Sequence, residues 1–156
     1  MNRRYILGLG AAAALTSALP ASAQVAGRVY RIGLVGGFDP TSDANPYGNP
    51  YMSGFIKRMA DLGLVYEKSF IFERRSIEQK PERLPDVIRE LINLKVDVIL
   101  STRDIIARTA ANITSVTPIV MIGVAAPVEI GLIKSLAYPG GNVTGLSGVI
   151  GSEFMG

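Results

Sequence analysis

The stretch "PERLPDVIRELINLKVDVIL", residues 81–100, contains a helical pattern that runs directly into a strand pattern. Its first part, 81–95, places apolar residues on one face at helical spacing: Leu84, Val87, Ile88, Leu91 and Ile92. Pro85 is acceptable there because N–H groups in the first turn of a helix lack intrahelical partners. The last five residues, 96–100, form a continuous apolar run of strand length, which predicts a strand covered on both faces. A helix followed at once by a buried strand favours an α/β fold.

The same alternation continues on both sides of this stretch. Apolar runs predict strands at 30–35, 69–75, 96–100, 118–124 and 142–147. Helical spacing or capping signals predict helices at 50–62, 81–95, 104–112 and 128–136. The order βαβαβαβαβ with short connections implies right-handed crossovers. We therefore predict an α/β fold, an open parallel sheet with helices on both faces.

The first predicted helix has clear signals at both ends. Asn49 is suited to cap it, Pro50 to begin it and Gly63 to end it. We expect its buried stripe to consist of Tyr51, Phe55, Met59 and Leu62.

Composition excludes several kinds of chemistry. The chain has 156 residues, 48% of them hydrophobic and 19% charged, which suits one globular domain of ordinary size. It contains no cysteine and no histidine, so thiol nucleophiles, disulfides, histidine acid–base catalysis and nearly every type of zinc site are excluded. No nucleophile elbow or P-loop occurs, and no pair of carboxylates suits acid–base catalysis. We expect no catalytic residue, no metal site and no cofactor.

The first 23 residues have the three parts of a secretory signal peptide. A basic "MNRR" precedes an uncharged apolar run, and "PASA" places Ala21 and Ala23 where a signal peptidase requires small residues. The apolar run is short for a membrane anchor, and Pro20 interrupts it. We predict a signal peptide at 1–23 and a mature protein that begins at Gln24 in the periplasm. Export by the Sec or the Tat route stays open.

Removal of the signal also changes the charge. The net charge falls from +3 to +1, because Arg3 and Arg4 are lost and no acidic residue is. No basic face for nucleic acid is then expected. In a periplasmic protein we interpret the two Asn-x-Thr triplets, at 112–114 and 142–144, as unglycosylated, and "PGGN" at 139–142 as a tight turn.

Three loops are candidate binding sites: 36–38, 101–103 and 123–126. Each follows a predicted strand, and ligands of open α/β sheets bind beyond the carboxyl ends of the strands. Each precedes the start of a predicted helix, where free N–H groups favour an anion such as a carboxylate. Ser101 and Thr102 add hydroxyl groups and Arg103 a fixed charge, although the two hydroxyl residues are equally suited to cap a helix. The candidate ligand-binding residues are Gly37, Phe38, Ser101, Thr102, Gly123 and Val124.

Four stretches resemble the substrate-binding proteins of one family of ABC importers, some of which handle aromatic amino acids. They are "RIGLV" (31–35), "RMADLGLVYEKSFIFERRS" (58–76), "RLPDVIRELINLKVDVIL" (83–100) and "TPIVMIGVAAPVEIGLIKSLAYPGGNVTGLSG" (117–148). The last, with its order P-V-x-x-G-L-x-x-S-L-x-x-P-G-G-N-x-T-G, is the most specific. Ala126 departs from the resemblance, since the family usually has Asp before the proline, and so does Arg103-Asp104, where small residues are usual.

The resemblance implies a periplasmic solute receptor with two α/β lobes that close on a small-molecule ligand such as an amino acid. Its partner would be an ABC permease in the inner membrane. Members of the family are about twice as long, so residues 24–156 are expected to form the N-terminal lobe, with the second lobe missing from this chain. A small periplasmic flavodoxin-like enzyme and a non-functional truncated relic of the receptor are the alternatives.

Overall fold

The computed structural model of the chain describes residues 27–36, 50–78 and 80–148. Within these ranges the strands are β1 (Tyr30–Gly36), β2 (Phe70–Ser76), β3 (Val98–Ser101), β4 (Ile119–Val124) and β5 (Val143–Ser147). The helices are α1 (Pro50–Asp61), α2 (Leu84–Asn93) and α3 (Asp104–Ile113), and a 3₁₀ turn at Pro81–Arg83 precedes α2. None of these helices combines the length and the apolar character that a membrane crossing requires.

The five strands form one sheet in the order β2-β1-β3-β4-β5, and every neighbouring pair is parallel. From β1 the chain goes to β2 at one edge of the sheet. It then crosses back past β1 to β3 and continues through β4 to β5 at the other edge. Right-handed crossovers therefore put α1 on one face of the sheet and α2 and α3 on the other. The predicted α/β fold with an open parallel sheet is confirmed.

Alternate residues of the strands supply the two cores. On the α1 side, Ile56 packs with Ile32, Leu34, Phe70 and Leu100. On the other side, α2 and α3 cover Val35, Ile99, Ile119, Met121 and Val143. Gly33 in β1 lets α2 approach closely, because a Cβ atom there would lie 3.1 Å from a methyl group of Leu91.

The helix α2 follows the predicted pattern. Leu84, Val87, Ile88 and Leu91 are buried, and Pro85 occupies the second helical position, after the 3₁₀ turn. A proline at that point removes no intrahelical hydrogen bond.

The predicted stripe of α1 is wrong in part. Tyr51 is 88% exposed and Leu62 is 62% exposed, whereas Ile56 is buried. The apolar face that meets the sheet consists of Met52, Phe55, Ile56 and Met59. At 100° per residue, Tyr51 and Leu62 lie on the flank of this face.

Both ends of α1 lie where the sequence predicts them, at Pro50 and before Gly63. Gly63 has φ +83°, and Gly63 and Leu64 donate hydrogen bonds of 2.9 Å to the carbonyls of Ala60 and Met59. These bonds form a Schellman motif, which a glycine at this point permits. The predicted N-cap, Asn49, lies outside the described residues.

The helix predicted at 128–136 is wrong, because this segment makes only one helical turn. Gly131 takes φ +70° and donates to the carbonyl of Val128, and Leu132 donates to the carbonyl of Pro127, both at 2.9 Å. This is again a Schellman motif, which ends the turn after three residues. Ile133 then packs into the core next to α3.

The turn predicted from "PGGN" is present. Gly140 has φ +77°, a conformation that glycine adopts without strain, while Gly141 has no positive φ. The carbonyl of Pro139 accepts a hydrogen bond of 2.9 Å from Lys134, and β5 begins at Val143.

The α1-side face of β4 and β5 carries exposed apolar side chains. Ile122 and Leu146 are paired in register, and they are 38% and 70% exposed. Of the described helices, α1 alone lies on this side, and it packs mainly over β1, β2 and β3.

Candidate functional site

The carboxyl ends of all five strands lie along one edge of the sheet. They are Ser76, Gly36, Ser101, Val124 and Ser147 in spatial order. The loops that follow β3, β4 and β5 are described, so their geometry defines this edge. The candidate residues Gly37 and Phe38, which follow β1, lie outside the described residues.

Ser101, the last residue of β3, is completely buried. Its hydroxyl donates a hydrogen bond of 2.7 Å to the carbonyl of Arg103, which closes the turn from β3 into α3. The N-cap of α3 is Arg103, and no side chain caps it. The alternative interpretation, in which Ser101 or Thr102 caps the helix, is therefore wrong, and Ser101 shapes the loop by a local bond.

The N-terminus of α3 opens at this edge. Thr102 and Arg103 are exposed, and the Arg103 guanidinium makes no ion pair within the described part of the chain. The first N–H groups of a helix and a free guanidinium both attract an anion. Asp104 adds a carboxylate in the first turn, which weakens this attraction.

Gly123 and Val124 end β4 in an irregular conformation. Gly123 has φ +72°, and the pairing of β4 with β5 shifts register between Ile122 and Val124. The side chain of Val124 is buried in the core shared with α2 and α3. Its carbonyl accepts hydrogen bonds from the N–H of Gly148 at 3.0 Å and the hydroxyl of Ser147 at 3.3 Å. Val124 thus ties the ends of β4 and β5 together.

A cleft of about 370 Å³ lies beside these two strand ends. The described residues that line it are Ala125, Ala126, Pro127, Val128, Glu129, Leu136, Ser147 and Gly148. Most of them are apolar or small, and Glu129 is the charged one among them. A volume in this range accommodates a small organic molecule.

Backbone geometry fixes the loop that forms one side of the cleft. Ala126 has φ +46°, a conformation that residues other than glycine rarely adopt. The carbonyl of Ala126 accepts a hydrogen bond of 3.1 Å from Ile130, which closes the helical turn after it. Strained residues of this kind cluster at ligand-binding sites.

The far end of the edge, after β2, carries a shifted titratable pair. The Arg83 guanidinium donates a hydrogen bond of 2.6 Å to the Glu78 carboxylate and holds the pKa of that carboxyl below its ordinary value of 4.5. About 40% of the Arg83 side chain and 56% of the Glu78 side chain are exposed, so the pair is a surface ion pair. The described residues contain no cluster of three or more metal-ligating side chains.

The lining of the cleft extends beyond the candidates taken from sequence. The structure brings Gly123 and Val124 next to it, but Pro127, Val128, Glu129, Leu136, Ser147 and Gly148 were not among the candidates. The missed signal was the carboxyl end of β5, which lies on the same edge as the other strand ends. Leu136 belongs to the segment 128–136, in which the predicted helix ends after one turn.

Comparison with known proteins relates this chain to a protein family. Residues 47–153, more than half of the chain, match the family described as ABC transporter substrate binding protein. A tyrosine-binding protein from Clostridioides difficile is 34% identical over 94 residues. That alignment covers 60% of this chain and 27% of the relative, so it spans about a quarter of the relative's length.

Solved structures show the same fold. One is the ligand-free, open structure of a substrate-binding protein with adhesive properties from Clostridium difficile, with a TM-score of 0.66, 25% identity, and coverage of 80% of this chain and 41% of that one. An ABC domain from Streptococcus pneumoniae in complex with L-Trp has a TM-score of 0.62 at 23% identity, over 77% of this chain and 39% of that one. The chain belongs to the family of ABC transporter substrate-binding proteins.

Proposed function

We propose that this protein is the solute-binding component of an ABC-type importer and that its ligand is an amino acid or another small organic solute. The observation that carries the proposal is the cleft beside β4 and β5, which lies at the edge where open α/β sheets bind ligands. The tyrosine-binding relative, at 34% identity, supports an amino acid as the class of ligand.

In this proposal the described edge is one wall of the binding site. The N-terminus of α3, with Thr102 and Arg103, receives the carboxylate of the ligand. Gly123, Val124 and the loop after them shape the wall that faces the rest of the ligand. Gly37 and Phe38 lie outside the described residues and stay candidate ligand contacts on the sequence alone. Ser101 positions the loop between β3 and α3 through its bond to Arg103.

A second lobe supplies the opposite wall. The chain spans 41% of the solved relative with which it shares the fold, a share that fits one lobe of two. In the proposal, residues 24–156 are the N-terminal lobe. Hinge closure of two lobes around a ligand is a common device of periplasmic receptors. A membrane permease would recognise the closed form, and the signal peptide at 1–23 would deliver the protein to the periplasm.

Titration by two-dimensional NMR tests the proposal, because it detects binding in the millimolar range. Mature protein labelled with ¹⁵N would receive L-phenylalanine up to tens of millimolar, since half a site binds weakly. We expect shifts of the amides at 101–104, 125–129 and 147–148. Shifts confined to other parts of the lobe, or none at all, would contradict the proposal.

A further inference from the structure

We propose that Glu129 binds the ammonium group of the ligand and so selects α-amino acids over simple carboxylates. The inference rests on the proposed function, because it concerns the same cleft. The part of the ligand that lies near the loop after β4 would then carry the positive charge.

The first reason is the charge of the cleft. Among the described residues that line it, Glu129 alone is charged, and its neighbours there are alanine, proline, valine, leucine, serine and glycine. Side chains of this kind offer a cation no competing charge. Glu129 makes no ion pair or hydrogen bond to another described side chain, so its carboxylate is available to a ligand.

The second reason is the fixed backbone conformation at Glu129. It lies in the single helical turn that begins after Ala126 and that the Schellman motif at Gly131 ends. Hydrogen bonds from Ile130 to Ala126 and from Leu132 to Pro127 close this turn on both sides of Glu129. Little backbone entropy would therefore be lost when a ligand binds beside it.

The third reason is the opposite charge at the next strand end. Arg103 and the N-terminus of α3 follow β3, and Glu129 follows β4. Strands β3 and β4 are hydrogen-bonded neighbours. The loops that follow these two adjacent strands thus carry one positive and one negative group, which matches the two charges of an amino-acid zwitterion.

Two ligands that differ only in the amino group test the inference: L-phenylalanine and 3-phenylpropionate. Each would be titrated by NMR into the mature protein and into its Glu129→Gln, Glu129→Lys and Glu67→Gln variants at low salt. Glu67 is a matched control, because it is exposed and precedes β2 at the opposite edge of the sheet.

We expect the unchanged protein and Glu67→Gln to bind phenylalanine about twofold to fivefold more tightly than phenylpropionate, the range of an exposed ion pair. Glu129→Gln should remove this preference and Glu129→Lys should reverse it. The preference should also shrink at about 0.5 M salt.

The remaining outcomes separate the two proposals. One contrary outcome is that phenylpropionate shifts the amides at 125–129 and 147–148 and phenylalanine binds no more tightly. Another is that the Glu129→Gln variant still prefers phenylalanine. In either case the role proposed for Glu129 is wrong, while the proposed solute binding stands. If neither compound shifts the cleft amides of the unchanged protein, the proposed function is wrong, and the inference is overturned with it.

Discussion

The side-chain Nδ2 of Asn142 donates a hydrogen bond of 2.8 Å to the main-chain carbonyl of Thr117, and a second one of 2.9 Å to that of Thr114. Both acceptors belong to the loop that joins α3 to β4, so one amide connects this loop to the start of β5. Nδ2 is also the atom that carries the sugar in an N-glycosylated asparagine. The triplet at 142–144 therefore has a structural role, which supports the interpretation that it is unglycosylated.

Replacing Asn142 by alanine should destabilise the lobe by about 1–3 kcal/mol, because two partly buried carbonyls would lose their donor. Asn112→Ala is the matched control, since Asn112 belongs to the other Asn-x-Thr triplet and is exposed at the end of α3. Urea unfolding followed by circular dichroism measures both variants. Equal stabilities of the two variants would show that the Asn142 bonds contribute little.

Gly145→Ala should destabilise the lobe by more than about 3 kcal/mol. The new Cβ would lie 2.0 Å from the carbonyl oxygen of Met121, a backbone atom that cannot move without opening the sheet, and Gly145 has φ +136°. Gly54→Ala is the control, because Gly54 is an exposed residue in α1 and a Cβ there would meet no atom within 4 Å.

For the Gly54→Ala variant we expect a gain of about 0.5–1 kcal/mol, since alanine is the better helix former. Thermal unfolding of both variants checks the pair. A Gly145→Ala protein with an unchanged melting temperature would contradict the close approach of β4 and β5.

Sequence patterns predicted the sheet because each buried strand and the stripe of α2 depend on local apolar periodicity. They failed at 128–136 because a single residue, Gly131, adopts a left-handed conformation that ends the helix after one turn. The sequence around a glycine in an apolar pattern does not determine whether that glycine adopts a helical or a left-handed conformation. Side-chain exposure at Tyr51 likewise depends on how α1 is rotated against the sheet, which tertiary packing decides.

The position of the candidate edge was predictable for a different reason. All carboxyl ends of a parallel sheet meet at one edge, so topology alone located Ser101 and Gly123 there. The lining of the cleft was not predictable, because the register shift at Gly123 and the turn after Ala126 direct the loop toward Ser147 and Gly148. Such long-range placement has no local signature in the sequence.

The exported protein should begin at Gln24. Small residues at Ala21 and Ala23 follow the helix-breaking Pro20, which is the arrangement that signal peptidase recognises. Intact-mass measurement of protein taken from the periplasm checks the position of the cut. A mass that retains residues 1–23 would contradict both the signal peptide and the periplasmic localisation.

The exposed face formed by Ile122 and Leu146 should cause the isolated lobe to self-associate. Replacing Ile122 by threonine and Leu146 by lysine should weaken association by about tenfold or more, because burial of one such side chain contributes about 1.5–3 kcal/mol. Val116→Lys is the control, since Val116 is also an exposed apolar residue but lies in the loop after α3. Sedimentation velocity over a range of concentrations measures the effect, and identical distributions for all three proteins would contradict it.

Mature protein ending at residue 156 should bind amino acids too weakly for calorimetry to detect. In the two-lobe proposal this chain offers only one wall of the site, and a site that holds a ligand well buries most of the ligand's surface. If a complete receptor binds at about 1 µM, the binding free energy is about −8 kcal/mol, and half of it corresponds to about 1 mM. The true value should be weaker, because the entropic cost of association is not halved with the contacts.

In the two-lobe proposal, fusion of residues 24–148 to the C-terminal part of the tyrosine-binding relative should restore an isotherm, because that part would supply the opposite wall and exclude water from the ligand. The single lobe and the fusion would be compared by calorimetry with the same panel of amino acids, and Thr102→Ala in the fusion would report on the α3 end of the wall. We expect measurable heat of binding from the fusion and none from the single lobe. The Thr102→Ala variant of the fusion should give less heat than the unchanged fusion. A micromolar isotherm from the single lobe as a monomer would mean that residues 24–156 already form the entire site and that the two-lobe proposal is wrong.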